Sequence, residues 1–159
     1  MQNFKEYIAE KTELKFTGTS GFYCSMLLSE ASKTRIASLC DRYDLPFTEI
    51  DELHCTVMYS PEHVPDSIPI PKNMPIKGKI YGLALFGDND HLVALVDSPE
   101  LMAFNRRIVR NGAVSTYPEY RPHITLAKVS SDNDINVNSK FMPVDVEFVS
   151  ITVEDITPK

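Results

Sequence analysis

The sequence contains no tryptophan, no long apolar run and no excess of basic residues. Its start, MQNFKEYIAEK, is too charged for a secretory signal peptide, and its apolar stretches are too short to cross a bilayer. The 16 lysines and arginines are outnumbered by 22 aspartates and glutamates, which gives a net charge of −6. Proteins that hold long nucleic acids through their phosphates are usually basic. We therefore expect a cytoplasmic protein without long nucleic acid or membrane as partner, although a small anionic ligand could bind in a local pocket.

Cysteine is also scarce, and its count is odd. Cys24, Cys40 and Cys55 do not have the spacing of a metal site, and three thiols cannot all pair with one another. Buried free thiols are the expected state, because unpaired cysteine behaves as a small apolar residue. The sequence shows no obvious set of metal ligands, and we expect neither a metal ion nor a cofactor.

The apolar patterning predicts one α+β domain over residues 1–159. Helices alternate with hairpins and clean βαβ units are few, which favours antiparallel sheets. The predicted elements are a short helix at 2–11, a strand at 22–28, a helix at 30–43 capped by Ser29, a strand at 52–60, a proline-dense loop at 60–75, a hairpin of strands 76–87 and 91–97, a helix at 99–111 opened by Ser98 and Pro99, a strand at 122–129, a polar loop at 130–140 and a last strand at 144–156.

The tripeptide His-x-Thr occurs twice, in LHCTVMY at 53–59 and in PHITLAKV at 122–129. Side chains alternate along a strand, so each motif presents its imidazole and its hydroxyl on one face. The same alternation puts Tyr59 on the buried face with Cys55, and Met58 on the face of the histidine. Both motifs occupy matching places in two halves that share the order strand, helix, loop, His-x-Thr strand. This organisation predicts two lobes related by a pseudo-twofold, with the helices outside and the two motifs lining one cleft.

Two imidazoles and two hydroxyls suit the cleavage of a phosphodiester. One imidazole can accept a proton from the attacking oxygen while the other donates a proton to the departing oxygen. The hydroxyls can donate to the non-bridging oxygens, where negative charge develops. A lone histidine is more often structural, and the repetition of the motif is what favours catalysis. A zinc site fits poorly because Cys55 points away from His54, and His63 and His91 are expected at the surface.

The segments His54-Cys55-Thr56-Val57 and His123-Ile124-Thr125-Leu126 resemble the paired His-x-Thr/Ser-x signature of the 2H phosphoesterase superfamily. The two-lobed organisation is similar over most of the chain. The chain as a whole resembles, more narrowly, the anti-CBASS nucleases of T4-like phages, which degrade the cyclic di- and trinucleotide signals of bacterial defence systems. This resemblance implies four catalytic residues, called the tetrad below: His54, Thr56, His123 and Thr125.

The resemblance also implies aromatic side chains that stack on the bases and an acidic residue near the C-terminus. Tyr23 is the candidate for stacking, with Phe22 and Tyr117 as alternatives. Since tryptophan is absent, any role that the family gives to tryptophan must fall to phenylalanine or tyrosine, or go unfilled. Glu154 is a better candidate than Glu147 for the acidic position, because it lies on the polar face of the last predicted strand.

The predicted function is metal-independent hydrolysis of the 3′–5′ bonds of cyclic nucleotides such as cyclic GMP–AMP. Either His54 or His123 could be the base, with the other as the acid. An alternative is an RNA phosphodiesterase acting on 2′,3′-cyclic ends or 2′–5′ bonds. That activity favours a basic groove, whereas the only basic cluster, residues 106–110, lies on a predicted helix. A second alternative is a protein that sequesters cyclic nucleotides without cleaving them, which would not need paired histidines.

Overall fold

The computed structural model describes residues 20–48, 52–117, 119–138 and 140–156, together with the backbone of two short strands at 4–7 and 13–15. Its strands are β1 (Phe4–Tyr7), β2 (Glu13–Lys15), β3 (Gly21–Leu28), β4 (His54–Ser60), β5 (Ser67–Pro69), β6 (Ile76–Phe86), β7 (His91–Asp97), β8 (His123–Lys128) and β9 (Val144–Ile156). Its helices are α1 (Glu30–Arg42) and α2 (Pro99–Arg110). Among the described residues, neither helix is long and apolar enough to cross a membrane.

Seven strands form one antiparallel sheet in the order β1-β9-β3-β4-β8-β7-β6. The long strand β9 closes this sheet on itself. Residues 144–148 of β9 pair with β6, and residues 148–156 pair with β3. The strands β2 and β5 form a separate antiparallel pair. Closure brings the two halves of the chain side by side, with β4 and β8 adjacent.

Each half contributes a strand, a helix and a motif strand: β3-α1-β4 and β7-α2-β8. Both helices begin at a serine cap, as predicted. The Ser29 hydroxyl accepts from the backbone N–H of Ser32, and the Ser98 hydroxyl accepts from that of Leu101. The two-lobed α+β architecture with antiparallel strands is therefore confirmed.

The core contains apolar side chains from both halves, including the buried stripes of α1 and α2. The three cysteines are buried and free, as predicted. Burial raises the pKa of the Cys40 thiol to about 11 and that of the Cys55 thiol to about 12. These thiols are therefore protonated near neutral pH and act as core residues.

Two predictions near the N-terminus and in the proline-dense segment need correction. The helix predicted at 2–11 is wrong over Phe4–Tyr7, which forms a strand paired with β9, and the rest of that prediction lies outside the described residues. Pairing with an available sheet edge outweighs the local helical pattern. The proline-dense segment 60–75 contains the short strand β5, which the sequence did not indicate.

The alternation predicted along β4 fails after Thr56. Thr56 pairs with Ser25, but Met58 pairs with Cys24 and Tyr59 with Tyr23, so Val57 is an extra residue on β4. Such a bulge shifts every later side chain to the opposite face. Met58 is accordingly 2% exposed and Tyr59 37% exposed, the reverse of the prediction.

Candidate active site

The two motif strands meet at Cys55 and Ile124, which are direct partners in the antiparallel pair of β4 and β8. Both side chains are fully buried in the core. The four tetrad side chains therefore lie on the other face, where all are half-buried. Antiparallel register puts His54 across from Thr125 and Thr56 across from His123. The tetrad residues are the four neighbours of this one cross-strand pair, and they lie together on one face of the sheet, called the cleft face below.

The two imidazoles are oriented in the same way. In His54, Nδ1 lies 2.8 Å from the carbonyl oxygen of Glu52, and in His123, Nδ1 lies 2.8 Å from the carbonyl oxygen of Arg121. A carbonyl oxygen only accepts, so each Nδ1 carries a hydrogen and donates it. Each neutral ring therefore has an unprotonated Nε2, which is the nitrogen able to accept a proton.

Tyr23 links two members of the tetrad. Its hydroxyl lies 3.1 Å from Nε2 of His54 and 2.7 Å from Oγ1 of Thr56. When His54 is neutral, Thr56 can donate to Tyr23 while Tyr23 donates to Nε2. When His54 is protonated, both donations reverse. The hydrogen bonds are thus satisfied in either protonation state, a role for Tyr23 that the stacking prediction did not include.

His123 lies in a different environment from His54. The ring of Phe86 contacts it edge-on with centroids 4.6 Å apart, and the guanidinium of Arg121 lies 5.1 Å from the centroid of Phe86. Burial lowers the pKa of His123; the bond to the carbonyl of Arg121 opposes this shift, and the positive charges of Arg121 and His54 add to it.

Two further side chains lie beside Tyr23 on the same face of the sheet. Glu154 is its direct partner on β9, and Tyr59 contacts its ring edge-on with centroids 6.3 Å apart. Glu147, the less favoured acidic candidate, pairs instead with Lys77 of β6. The structure thus brings Glu154 next to the Tyr23 side of the tetrad.

The alternative aromatic candidates lie elsewhere. Phe22 is fully buried in the core, so its ring is not available to a ligand. Tyr117 lies in the loop after α2 and is 68% exposed; within the described residues, no hydrogen bond or ring contact joins it to the tetrad. Phe86 and Tyr59 were not among the site residues predicted from the sequence. Phe86 was an apolar residue at the end of a predicted strand, and only the β6–β7–β8 pairing shows that it reaches His123.

Among the described residues, no group of three or more histidine, cysteine, aspartate or glutamate side chains is arranged to hold a metal ion. Two positions along the same strands from Tyr23 and Glu154, the buried hydroxyls of Ser25 and Thr152 lie 2.6 Å apart and bond to each other.

Comparison with known sequences identifies one family. A family model described as anti-CBASS protein Acb1 matches residues 20–158. The Acb1 of Acinetobacter phage Ac42 is 39% identical over 79 residues, which are 48% of this chain and 51% of that protein, so this match spans about half of the relative's length. The Acb1 of Vibrio phage KVP40 is 26% identical over 152 residues, covering 86% of this chain and 95% of that protein.

Two solved structures share the fold. Escherichia coli LigT, crystallised with NADP+, superposes with a TM-score of 0.57 at 12% identity, covering 84% of this chain and 86% of that one. A protein described as a phosphoesterase superposes with a TM-score of 0.54 at 12% identity, with the same coverage of 84% and 86%. At this identity the likeness concerns the fold, which is that of the 2H phosphoesterases.

Proposed function

The chain belongs to the anti-CBASS protein Acb1 family, and we propose that it hydrolyses the 3′–5′ bonds of cyclic di- and trinucleotides such as cyclic GMP–AMP. The reaction would use no metal ion and would protect a phage from CBASS defence in the cytoplasm of its host. One observation carries the proposal: two imidazoles, each with Nδ1 committed to a backbone carbonyl, share one face with two threonine hydroxyls.

The proposed reaction begins with the 2′-oxygen next to the scissile bond. This oxygen attacks phosphorus and loses its proton to one imidazole, while the other imidazole protonates the departing 5′-oxygen. The first product ends in a 2′,3′-cyclic phosphate. Water then opens that ring with the two proton transfers reversed, and the final product is a linear nucleotide that ends in a 3′-phosphate.

His123 suits the role of base in the first step. Its lowered pKa keeps the imidazole neutral near neutral pH, so Nε2 can accept the 2′-hydroxyl proton. His54 suits the role of acid, because its protonated ring has an acceptor at each nitrogen: the carbonyl of Glu52 and the hydroxyl of Tyr23. For the transfer, Nε2–H would exchange the Tyr23 hydroxyl for the departing 5′-oxygen, and the neutral ring left behind could then accept a hydrogen bond from Tyr23.

Three aromatic rings flank the tetrad and suit the bases of a cyclic nucleotide. Tyr23 and Tyr59 lie on one side, and Phe86 lies on the other beside His123. Stacking on such rings tolerates different bases, since every base has a π-face. Glu154, next to Tyr23, can accept hydrogen bonds from a base or a ribose hydroxyl.

The test is a cleavage assay with EDTA present. Cyclic GMP–AMP is incubated with the protein, the products are separated by chromatography, and the terminal phosphate is identified by mass. We expect a transient 2′,3′-cyclic phosphate followed by a linear 3′-phosphate. A cyclic dinucleotide with both 2′-hydroxyls replaced by hydrogen is the matched control, because it lacks the attacking oxygen and should be recovered intact.

Other outcomes identify the alternatives. Intact cyclic GMP–AMP in solution contradicts the proposal. Ligand that is recovered unchanged only after the protein is denatured indicates sequestration without cleavage. Cleavage of linear RNA ends, with the cyclic dinucleotide left intact, indicates an RNA phosphodiesterase. Cleavage of the 2′-deoxy control excludes attack by the neighbouring hydroxyl.

A further inference from the structure

The two motif strands separate soon after they meet. Among the described residues, β4 and β8 pair at one position, Cys55 with Ile124. Beyond it, the backbone carbonyls of Thr56 and Val57 receive hydrogen bonds from side chains of the second half. The hydroxyl of Tyr120 donates to the carbonyl oxygen of Thr56 at 2.8 Å, and the amide of Asn105 donates to that of Val57 at 2.7 Å.

The side chains of Tyr120 and Asn105 take the place of backbone hydrogen bonds that β4 and β8 would form if their pairing continued. Val57 is the bulged residue of β4, and a bulge leaves backbone groups without their usual strand partner. A buried carbonyl without a donor is costly, which gives each of these two hydrogen bonds a structural reason to exist. Their donors lie in elements that lead to the second motif: Asn105 in α2, and Tyr120 three residues before His123.

A similar contact runs in the opposite direction. The backbone N–H of Thr48, in the segment that leads to β4, donates to the carbonyl oxygen of Leu126 on β8 at 2.6 Å. The lead-in segment of each half is therefore bonded to the motif strand of the other half. The distance between the two motifs therefore depends on these contacts as well as on the pairing of β4 with β8.

We infer that Tyr120 and Asn105 are positioning residues, which hold the Thr56 end of the first motif at its working distance from His123. The inference rests on the proposed function, since it concerns the reaction in which Thr56 and His123 act on one phosphate. A displacement of about 1 Å in a catalytic group can reduce turnover about a hundredfold, so two hydrogen bonds at this place can affect catalysis without touching substrate.

The hydroxyl of Tyr120 is suited to a permanent contact of this kind. Burial raises its pKa well above the usual value, so it remains a protonated donor over the pH range in which the imidazoles titrate. The thiol of Cys55 lies 3.9 Å from the same oxygen and adds a weak second contact. Replacing Tyr120 with phenylalanine keeps the ring and removes the hydrogen bond to Thr56 together with this weak contact.

The experiment compares Tyr120→Phe with Tyr43→Phe in steady-state cleavage of cyclic GMP–AMP. Tyr43 is a matched control, because it is also partly buried against the core and packs on Phe141 with centroids 5.7 Å apart. We expect Tyr120→Phe to lower kcat by about ten- to a hundredfold with KM within about threefold. Tyr43→Phe should keep the wild-type kcat and KM.

A double-mutant cycle with Thr56→Val tests the route of the effect. If Tyr120 acts by positioning Thr56, then Tyr120→Phe should cost much less in the Thr56→Val background than in the wild type. Fully additive losses, or a Tyr120→Phe variant with wild-type kcat and a lowered melting temperature, overturn the inference. If Tyr120→Phe does not fold, Asn105→Ala decides the matter by the same split between kcat and KM. Absence of cleavage by the wild type is a separate result, which refutes the proposed function instead.

Discussion

Cys55 and Ile124 face each other across β4 and β8, and both side chains are fully buried. Burial of this apolar pair requires the neighbours on either side, which are the tetrad residues, to lie on the opposite face. A slip of one residue in either strand would move an imidazole into the core and a hydrophobic side chain into the cleft. Core packing at one residue pair therefore determines that both His-x-Thr motifs present their imidazole and hydroxyl on the same face of the sheet.

Replacing either imidazole should abolish most turnover and spare the fold. His54→Ala and His123→Ala should each lower kcat by about 10²- to 10⁴-fold, the usual contribution of a positioned acid or base. Both side chains are half-buried on the cleft face, so melting temperatures should stay within a few degrees of wild type. Steady-state kinetics and thermal unfolding measure the two quantities. His63→Ala is the control, since His63 is exposed and should keep full activity. Normal turnover with a large loss of stability would mark either histidine as structural.

Local features were predictable from the sequence because local physics determines them. The caps Ser29 and Ser98 and the apolar stripes of the helices follow from short-range hydrogen bonding and helical periodicity. The shared face of each His-x-Thr motif follows from strand alternation. The pairing of the two halves was also predictable, because each half repeats the same order of elements.

Features that depend on sheet register were not predictable. The bulge at Val57 turns Tyr59 towards Tyr23. The local sequence contains no pattern that predicts an extra residue in this strand. Likewise, Phe86 reaches His123 only through the register of β6, β7 and β8. The hydrogen bonds from Tyr120 and Asn105 to the backbone of β4 form because β4 and β8 separate after one residue pair. That separation is a property of the closed sheet.

Replacing Gly21, at the start of β3, tests how closely the backbone is packed near Tyr23. A Cβ added to Gly21 would lie 2.2 Å from the backbone oxygen of Pro61, so the two segments would have to move apart. We expect Gly21→Ala to destabilise the fold by about 1–3 kcal/mol, the usual cost of overpacking. Gly82→Ala is the control, because its added Cβ would meet nothing closer than 3.9 Å. Denaturant unfolding measures both variants, and equal stabilities would contradict the close contact.

The hydroxyl of Tyr23 should contribute to turnover more than to stability. Tyr23→Phe removes the hydrogen bonds to Nε2 of His54 and Oγ1 of Thr56 but keeps the ring contact with Tyr59. Loss of one such hydrogen bond costs about 1 kcal/mol. We therefore expect kcat to fall by about fivefold or more. The free energy of unfolding should fall by no more than about 1 kcal/mol. Tyr81→Phe, at a tyrosine that is 55% exposed, is the matched control and should behave as wild type. An unchanged kcat for Tyr23→Phe would show that turnover does not depend on the hydrogen bonds from Tyr23 to His54 and Thr56.

The acidic limb of the pH profile should report the environment of His123. As a base, His123 must be neutral, so activity falls as the pH drops through its pKa. Burial, together with the nearby charge of Arg121, lowers that pKa, and the limb in kcat/KM should therefore lie below the usual histidine range. Arg121→Gln removes a positive charge, which raises the pKa of His123 and moves the limb to higher pH. The shift should be modest because burial, the largest cause, remains.

Arg121→Lys is the control for this shift, since it keeps the charge and should leave the limb near its wild-type position. Loss of substrate affinity in Arg121→Gln would lower kcat/KM at every pH without moving the limb, so binding and titration are separable in one data set. A limb that stays in place in Arg121→Gln, or moves to lower pH, would exclude His123 as the group that titrates there. The base would then have to be His54, and the acid and base assigned above would exchange places.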